Sequence, residues 1–393
     1  MFLFSLFYLS PFVDASNGFL IFNDLLAEGS LFSPGQLFRF FMTVFTFLFL
    51  KRSDLFIILI LSTFFLFIEF VSFNFHFNLS GFILGLVYSY KVVYAILVFF
   101  ALKNIVEDLC LIDLIKLFRN SALIYAIILI SSIVLGINEP TYASGTFGTK
   151  GLFASGNGIS IFLGVSSLIA YYYYELVPKR NNFISFLLIS FSMLMVGTKA
   201  SIIFAVLIFV VLFYNSNFKK KVAYLTIPFL FSIFYLDKIT LIFSTVFDVI
   251  IFRYNNSASL FSFLASNRDN YITGAFETFN IDGVNIVRII TGSGVFVSFR
   301  NFSETNLIYD TLESDFFDLF FAFGSIGLLL YLCFILYGFR SVFKNFNLTL
   351  FLGWFAIIGY SIIAGHVIFN AMSSFALVML FLIIINNNKK VKE

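Results

Sequence analysis

Four short stretches of this chain combine glycine, hydroxyl groups and isolated cations. The first is Gly148-Thr149-Lys150-Gly151, followed by Asn157, and the second is Gly197-Thr198-Lys199-Ala200-Ser201. The third is Ser266-Asn267-Arg268-Asp269. The fourth runs from Gly292-Ser293-Gly294 through Glu313-Ser314-Asp315 to Gly324-Ser325-Ile326-Gly327. Arg presents a fork of donors that matches phosphate oxygens, and Lys supplies a point charge. In a low-dielectric setting such cations stabilise charge developing on a leaving pyrophosphate. A carboxylate nearby takes the proton from an attacking hydroxyl if its pKa and reach are right. There is no Walker-type phosphate loop, no GxGxxG after a strand and no HExxH, which argues against ATP-driven or nicotinamide chemistry. Cys110 and Cys333 lie far apart with neither CxxC nor Cys/His spacing, so no disulfide framework or metal site is indicated.

The elements that must position these groups are membrane spans. Of the 393 residues 60% are hydrophobic and 11% charged, and the mean hydropathy is +1.00. A soluble domain carries roughly 25% charged residues, so lipid must cover most of this surface. The net charge of +3 carries no signal for nucleic acid, and the 62 phenylalanines read as gene base composition rather than an aromatic function. A span needs roughly 20 mostly apolar residues. The candidates are residues 2–22, 31–50, 55–71, 81–102, 121–136, 154–173, 183–196, 200–214, 222–236, 315–339, 350–363 and 367–385. The expectation is an all-α polytopic membrane protein of about 12 transmembrane helices, forming one transmembrane domain over residues 1–393. One long loop, residues 237–314, falls between spans nine and ten and mixes apolar runs with charges, as short helices on a membrane face would. The first apolar stretch lacks a basic n-region and a small-residue cleavage site, and reads as a span rather than a removed signal peptide. Residues 103–120 have apolar positions at helical spacing and read as an interfacial helix.

Orientation follows from basic residues in short loops. With both termini cytoplasmic, the even-numbered loops hold Lys51 and Arg52; Lys103, Lys116 and Arg119; Lys179 and Arg180; Lys219, Lys220 and Lys221; and Arg340 and Lys344, and the tail adds Lys389, Lys390 and Lys392. The remaining cations are Arg39, Lys91, Lys150, Lys199, Lys238, Arg253, Arg268, Arg288 and Arg300. They fall within the membrane or outside it. A cation in mid-span costs roughly 2.5–3.5 kcal/mol on insertion scales and usually faces a polar cavity or partner. Function is to be sought at these cations. On the non-cytoplasmic side they suit a substrate with an anionic head and a lipid tail.

The fourth stretch resembles the end of the large periplasmic loop of Wzy-type O-antigen polymerases and of O-antigen ligases. The Gly197–Ser201 turn resembles the Thr-Lys/Arg turn of that group, and residues 150–157 resemble its preceding loop. Residues 11–18 and 33–39 are similar to the amino-terminal part of such polymerases. The resemblance covers nearly the whole chain by topology, through short, degenerate motifs in the right order. It implies a metal-independent glycosyltransferase of the C-type membrane architecture, without cofactor, in a bacterial inner membrane. The implied substrate is an undecaprenyl-pyrophosphate-linked oligosaccharide, and a polysaccharide chain-length regulator is the expected partner beside membrane lipid. In ligases the position before the span-ten helix is typically His. Here it is Glu313, and His76 and His366 lie at other outer loops. That departure favours a polymerase over a ligase, and a flippase is the rival of a different class.

Lys150, Lys199, Arg268 and Arg39 are the candidate pyrophosphate ligands, with Glu313 and Arg268 in catalysis. Each has a plainer alternative. Arg268 could pair with Asp269 or Glu277, Lys199 and Lys150 could simply face water, Arg39 or Lys91 could pair with Glu69 or another buried acid, and Lys91 could also snorkel. Glu313, Asp315 and Asp318 could be acids favouring a helix N-terminus. Arg288 and Arg300 could bind anionic lipid heads, and His366 could be interfacial. Asp315, Arg288, Arg300 and His366 are secondary candidates.

Overall fold

The computed structural model describes residues 1–27, 30–76, 79–142, 148–219, 221–222, 251, 254–255, 259, 262, 268–280, 286–295, 312–363 and 365–387. The chain is mostly helical. The first helix, α1, runs as Phe2–Phe4, a π-helical turn Ser5–Leu9 and Ser10–Phe22. It is followed by α2 (Pro34–Phe47), α3 (Arg52–His76), α4 (Leu79–Asp108) and α5 (Leu111–Val134). A short antiparallel pair, β1 (Glu139–Pro140) with β2 (Thr149–Gly151), leads to α6 (Gly156–Leu176), α7 (Arg180–Val196) and α8 (Lys199–Tyr214). Then come α9 (Arg268–Asn280), α10 (Ile286–Thr291), α11 (Asp315–Lys344), α12 (Leu348–Ile363) and α13 (Ala371–Asn386).

Among the described residues five helices are long and apolar enough to cross a membrane: Arg52–Ser72, Gly81–Glu107, Leu111–Val134, Gly156–Leu176 and Asp315–Lys344. Four more, α7, α8, α12 and α13, are apolar but shorter. The chain is an all-α, membrane-associated protein. The ninth expected span, 222–236, falls almost wholly outside the described residues. The interfacial helix expected over 103–120 is not separate. Its first part ends α4, its last part begins α5, and Cys110 stands at the N-cap between them. The helical periodicity there belonged to the ends of two longer helices.

The bundle is built around α6. In its most apolar window 83% of residues are buried inside the protein, against 28% for α3, so α6 is the hub and α3 faces outward. Gly158, Ser160, Gly164, Ser166, Ser167 and Ala170 make this possible, because small side chains let neighbouring backbones approach closely. A Cβ at Gly164 would overlap the Phe204 ring of α8. Helices α5, α7, α8, α12 and α13 pack around this hub.

Both ends of the bundle are tied by polar contacts. At one end Lys51 pairs with Glu107 at 2.5 Å, Asn104 donates to Asp54 at 2.7 Å, and Arg119 bonds Asn182. At the other end Thr141 donates to the Val196 carbonyl at 2.6 Å, Gly158 lies on the Asn370 amide, and Gly18 of α1 abuts the Leu152–Ala154 backbone. Helix starts here are capped: Ser33 accepts from Gln36 N–H, Ser155 from Gly158, Thr198 from Ser201, and Asn370 from Met372 and Ser373. Such caps satisfy otherwise orphaned N–H groups. Span twelve was expected from residue 367, but α13 starts at Ala371. The residues before it pair with α11 instead.

Candidate functional site

The site grows from a break in α11. Gly324 has φ +66° and ψ −162°, a region open essentially to glycine alone. The break interrupts the helical ladder, and a freed carbonyl in a lipid-covered protein must find another donor. Ser293 and Gly294 supply it: their N–H groups donate to the Phe321 and Ala322 carbonyls, each at 2.9 Å. The Ser293 hydroxyl adds a bond to Phe321 O at 3.1 Å. A Cβ on Gly292 would overlap Ala322 O, and one on Gly324 would overlap Ile290 O. The two glycine stretches of the fourth motif are thus two halves of one joint. Beside it the fully buried Glu69 of α3 accepts the Val295 N–H at 2.7 Å. Glu69 therefore holds the loop end, and no ion pair with Arg39 or Lys91 is found for it among the described residues.

A second turn sits over the N-terminus of α11. The Asp318 carboxylate accepts the N–H of Leu312 at 3.0 Å and of Ser314 at 3.2 Å. Clamping both neighbours leaves Glu313 at the apex with φ +55°, the left-handed region rarely taken by residues other than glycine. The Glu313 side chain is 45% exposed and receives the Arg268 guanidinium, itself 7% exposed at the start of α9. Helix α9 is fixed by Ala275, which packs with Leu312 and Phe321, and by the Phe276 ring 4.8 Å from that of Phe321. Among the described residues the ion pair found for Arg268 is with Glu313 and not with Asp269, and the Glu277 side chain lies outside the described residues.

Asp315 ties α11 to the segment after α12. Its Oδ2 accepts the Ser361 hydroxyl at 2.5 Å and the Val367 and Ile368 N–H groups at 2.9 and 3.1 Å. This brings His366 into the site, with Nδ1 3.8 Å from Asp318 Oδ2. Burial, helped by the Lys91 and Arg268 charges beside it, pushes the His366 imidazole down to about 3. It is therefore neutral, and its approach to Asp318 is not an ion pair. Lys91 of α4 also lies over the Tyr88 ring at 3.8 Å, and Tyr360 is within electrostatic reach of Arg268, Glu313 and Tyr142. Neither Lys91 nor Tyr360 carried a spacing signal pointing to this place. Asp318 did, as an acid one turn after Asp315 at the head of a long apolar helix.

The first and second motifs meet each other. A Cβ on Gly148 would overlap Val196 O beside Gly197, so the Lys150 loop rests on the turn before Lys199. Lys150 extends over the Phe22 ring at 4.5 Å, and Lys199 is half-buried as the first residue of α8. Below it Thr198, Ser160 and Ser201 exchange hydrogen bonds of 2.5, 2.9 and 3.1 Å. Asn157 is exposed and Arg288 half-buried on α10. Arg300, with Ser266 and Asn267, lies outside the described residues.

Arg39 is set apart. It donates to Gln36 Oε1 at 3.4 Å and lines a pocket with Asp14, Tyr94 and Tyr125, whose walls include neither Arg268 nor the two lysines. Tyr125 donates to Asp14 at 2.5 Å in that cavity.

No family model, no curated protein and no solved structure matches the chain.

What is assembled at α11 is a half-exposed carboxylate on a strained turn, a cation in contact with it, a second cation nearby and a neutral imidazole. Cations as a class attract anions such as phosphates, and a half-exposed carboxylate is chemically able to accept a proton.

Proposed function

We propose that the chain is a polysaccharide polymerase of the O-antigen type, working at the periplasmic face of a bacterial inner membrane. Both termini are then cytoplasmic, about twelve helices span the bilayer, and residues 237–314 form the periplasmic loop. The growing glycan leaves undecaprenyl pyrophosphate and joins a new lipid-linked repeat.

The observation that carries this reading is the Arg268–Glu313 contact, made across 45 residues of sequence at the half-exposed apex of a strained turn. An arriving pyrophosphate competes for the Arg268 fork and releases the Glu313 carboxylate. The acceptor hydroxyl attacks the anomeric carbon of the donor sugar, the bond to the pyrophosphate oxygen breaks, and Glu313 takes the hydroxyl proton. Arg268 and Lys91, with Lys150 and Lys199 at the neighbouring loops, offset the charge left on the pyrophosphate. Strain at Glu313 fits such a role, since costly backbone conformations cluster at working sites.

The test is a lipopolysaccharide gel of the host lacking the gene, complemented with wild type or Arg268→Ala at equal membrane levels. The expected result is a full ladder with wild type and core plus a single repeat with the variant. An unchanged ladder on deletion sinks the reading. Complete loss of glycan from the core moves it to a ligase or flippase.

A further inference from the structure

We propose that Asp315, Asp318 and His366 form a binding site for a divalent first-row transition cation that ties the head of α11 to the segment leading into α13. One donor atom from each residue lies within 4.8 Å of the other two. Donors sharing one ion stand no more than about 4.4 Å apart, twice a bond of roughly 2.2 Å. Closure therefore needs only small side-chain rotations.

Charge supplies the second reason. Asp315 and Asp318 are fully buried, one turn apart, at the first turn of a helix long and apolar enough to cross a membrane. Every hydrogen bond found to their carboxylates comes from a neutral group: Leu312, Ser314, Val367 and Ile368 N–H and the Ser361 hydroxyl. Two buried carboxyl groups side by side repel each other unless they hold a proton or share a cation, and the Lys91 and Arg268 charges near His366 make no hydrogen bond to either of them among the described residues. Asp315 Oδ1 is buried with no hydrogen-bond partner among the described residues, although its sister oxygen has three.

The third donor is held in place. Asp315 pins Val367 and Ile368, and the Ser373 hydroxyl donates to the His366 carbonyl at 3.0 Å, so the imidazole is carried to Asp318 by a fixed backbone. Two carboxylate oxygens with one imidazole nitrogen suit Mn²⁺ or Zn²⁺ better than Mg²⁺, which prefers oxygen and water. The cation neutralises the acid pair and fastens two segments, and the proposed glycosyl transfer needs no metal at the reacting atoms.

The test uses the purified full-length protein in lipid nanodiscs, stripped with chelator and titrated with Mn²⁺ by paramagnetic resonance, with no glycan substrate present. The expected result is saturable binding of one Mn²⁺ per chain, displaced by Zn²⁺, with a rise in melting temperature. His366→Ala and Asp318→Asn should abolish both. Should Asp318→Asn fail to fold, His366→Ala decides alone, since that side chain is partly exposed outside a helix. Absence of saturable Mn²⁺ binding to wild type, or binding that survives His366→Ala, overturns the proposal. Because no polymer formation is read, this outcome is independent of the polymerase reading.

Discussion

Arg39 and Arg268 both meet polar partners in this protein, and their surroundings differ. Arg39 lies in a cavity between α1, α2, α4, α5 and α13, where Asp14 is within its electrostatic reach and is itself held by Tyr125 at 2.5 Å. Its walls are helical, including the π-helical turn Ser5–Leu9 of α1. Arg268 instead meets Glu313 on a turn with φ +55°, and the carboxylate is half open to the outside. Arg268 is the more deeply buried of the two, and a buried charge needs a partner in a low dielectric. That partner, Glu313, is half-exposed, so the pair is reachable from outside.

The sharpest way to break this comparison is Arg268→Ala. Polymer made from purified lipid-linked repeat should fall roughly 100- to 1,000-fold, the scale for losing one donor to a developing anion, and by much less for Arg39→Ala. Equal losses would mean the two arginines share one task. Glu313→Gln keeps the shape and removes the proton acceptor, and should cost about 100-fold in turnover with the melting temperature unchanged. A melting temperature that fell with activity would make Glu313 structural instead.

Next in size come effects on folding. Gly324→Ala places a Cβ on the Ile290 carbonyl and forces φ +66° on an L-residue. It should destabilise by about 3 kcal/mol, read by thermal melting in detergent. Asp14→Asn should cost about 1–2 kcal/mol by weakening the Tyr125 bond, with little loss of turnover. A turnover loss as large as that of Arg268→Ala would put the Arg39 cavity in the reaction. Thr198→Ala removes the N-cap of α8 and should cost about 1 kcal/mol in the same melting assay.

Much of the fold was legible because its signals are local. Apolar runs of span length gave most helices to within a few residues, since burial of a continuous apolar face is written in consecutive positions. The misplaced ends have a common cause. The break between α4 and α5 at Cys110, and the non-helical segment before Ala371, depend on partners elsewhere. Of the candidate site, the glycine stretches at 292–294 and 324–327 and the residues Arg268, Glu313 and Asp315 stood out by type. Lys91 stood out only as one of the nine cations away from the basic loops, and Tyr360 and the grip of Asp318 on its neighbours did not, because nothing in their spacing differs from an ordinary span.

By itself the sequence determined that the chain is helical and membrane-associated and that its odd cations are few. The tertiary structure decided which of those cations meets a carboxylate. Arg268 reaches Glu313 and not Asp269 because α9 is fixed on Leu312 and Phe321, and Glu313 points outward because Asp318 holds both residues beside it. Periodicity sets how a segment folds on itself, whereas contacts across 45 residues depend on how packed helices bring distant loops together.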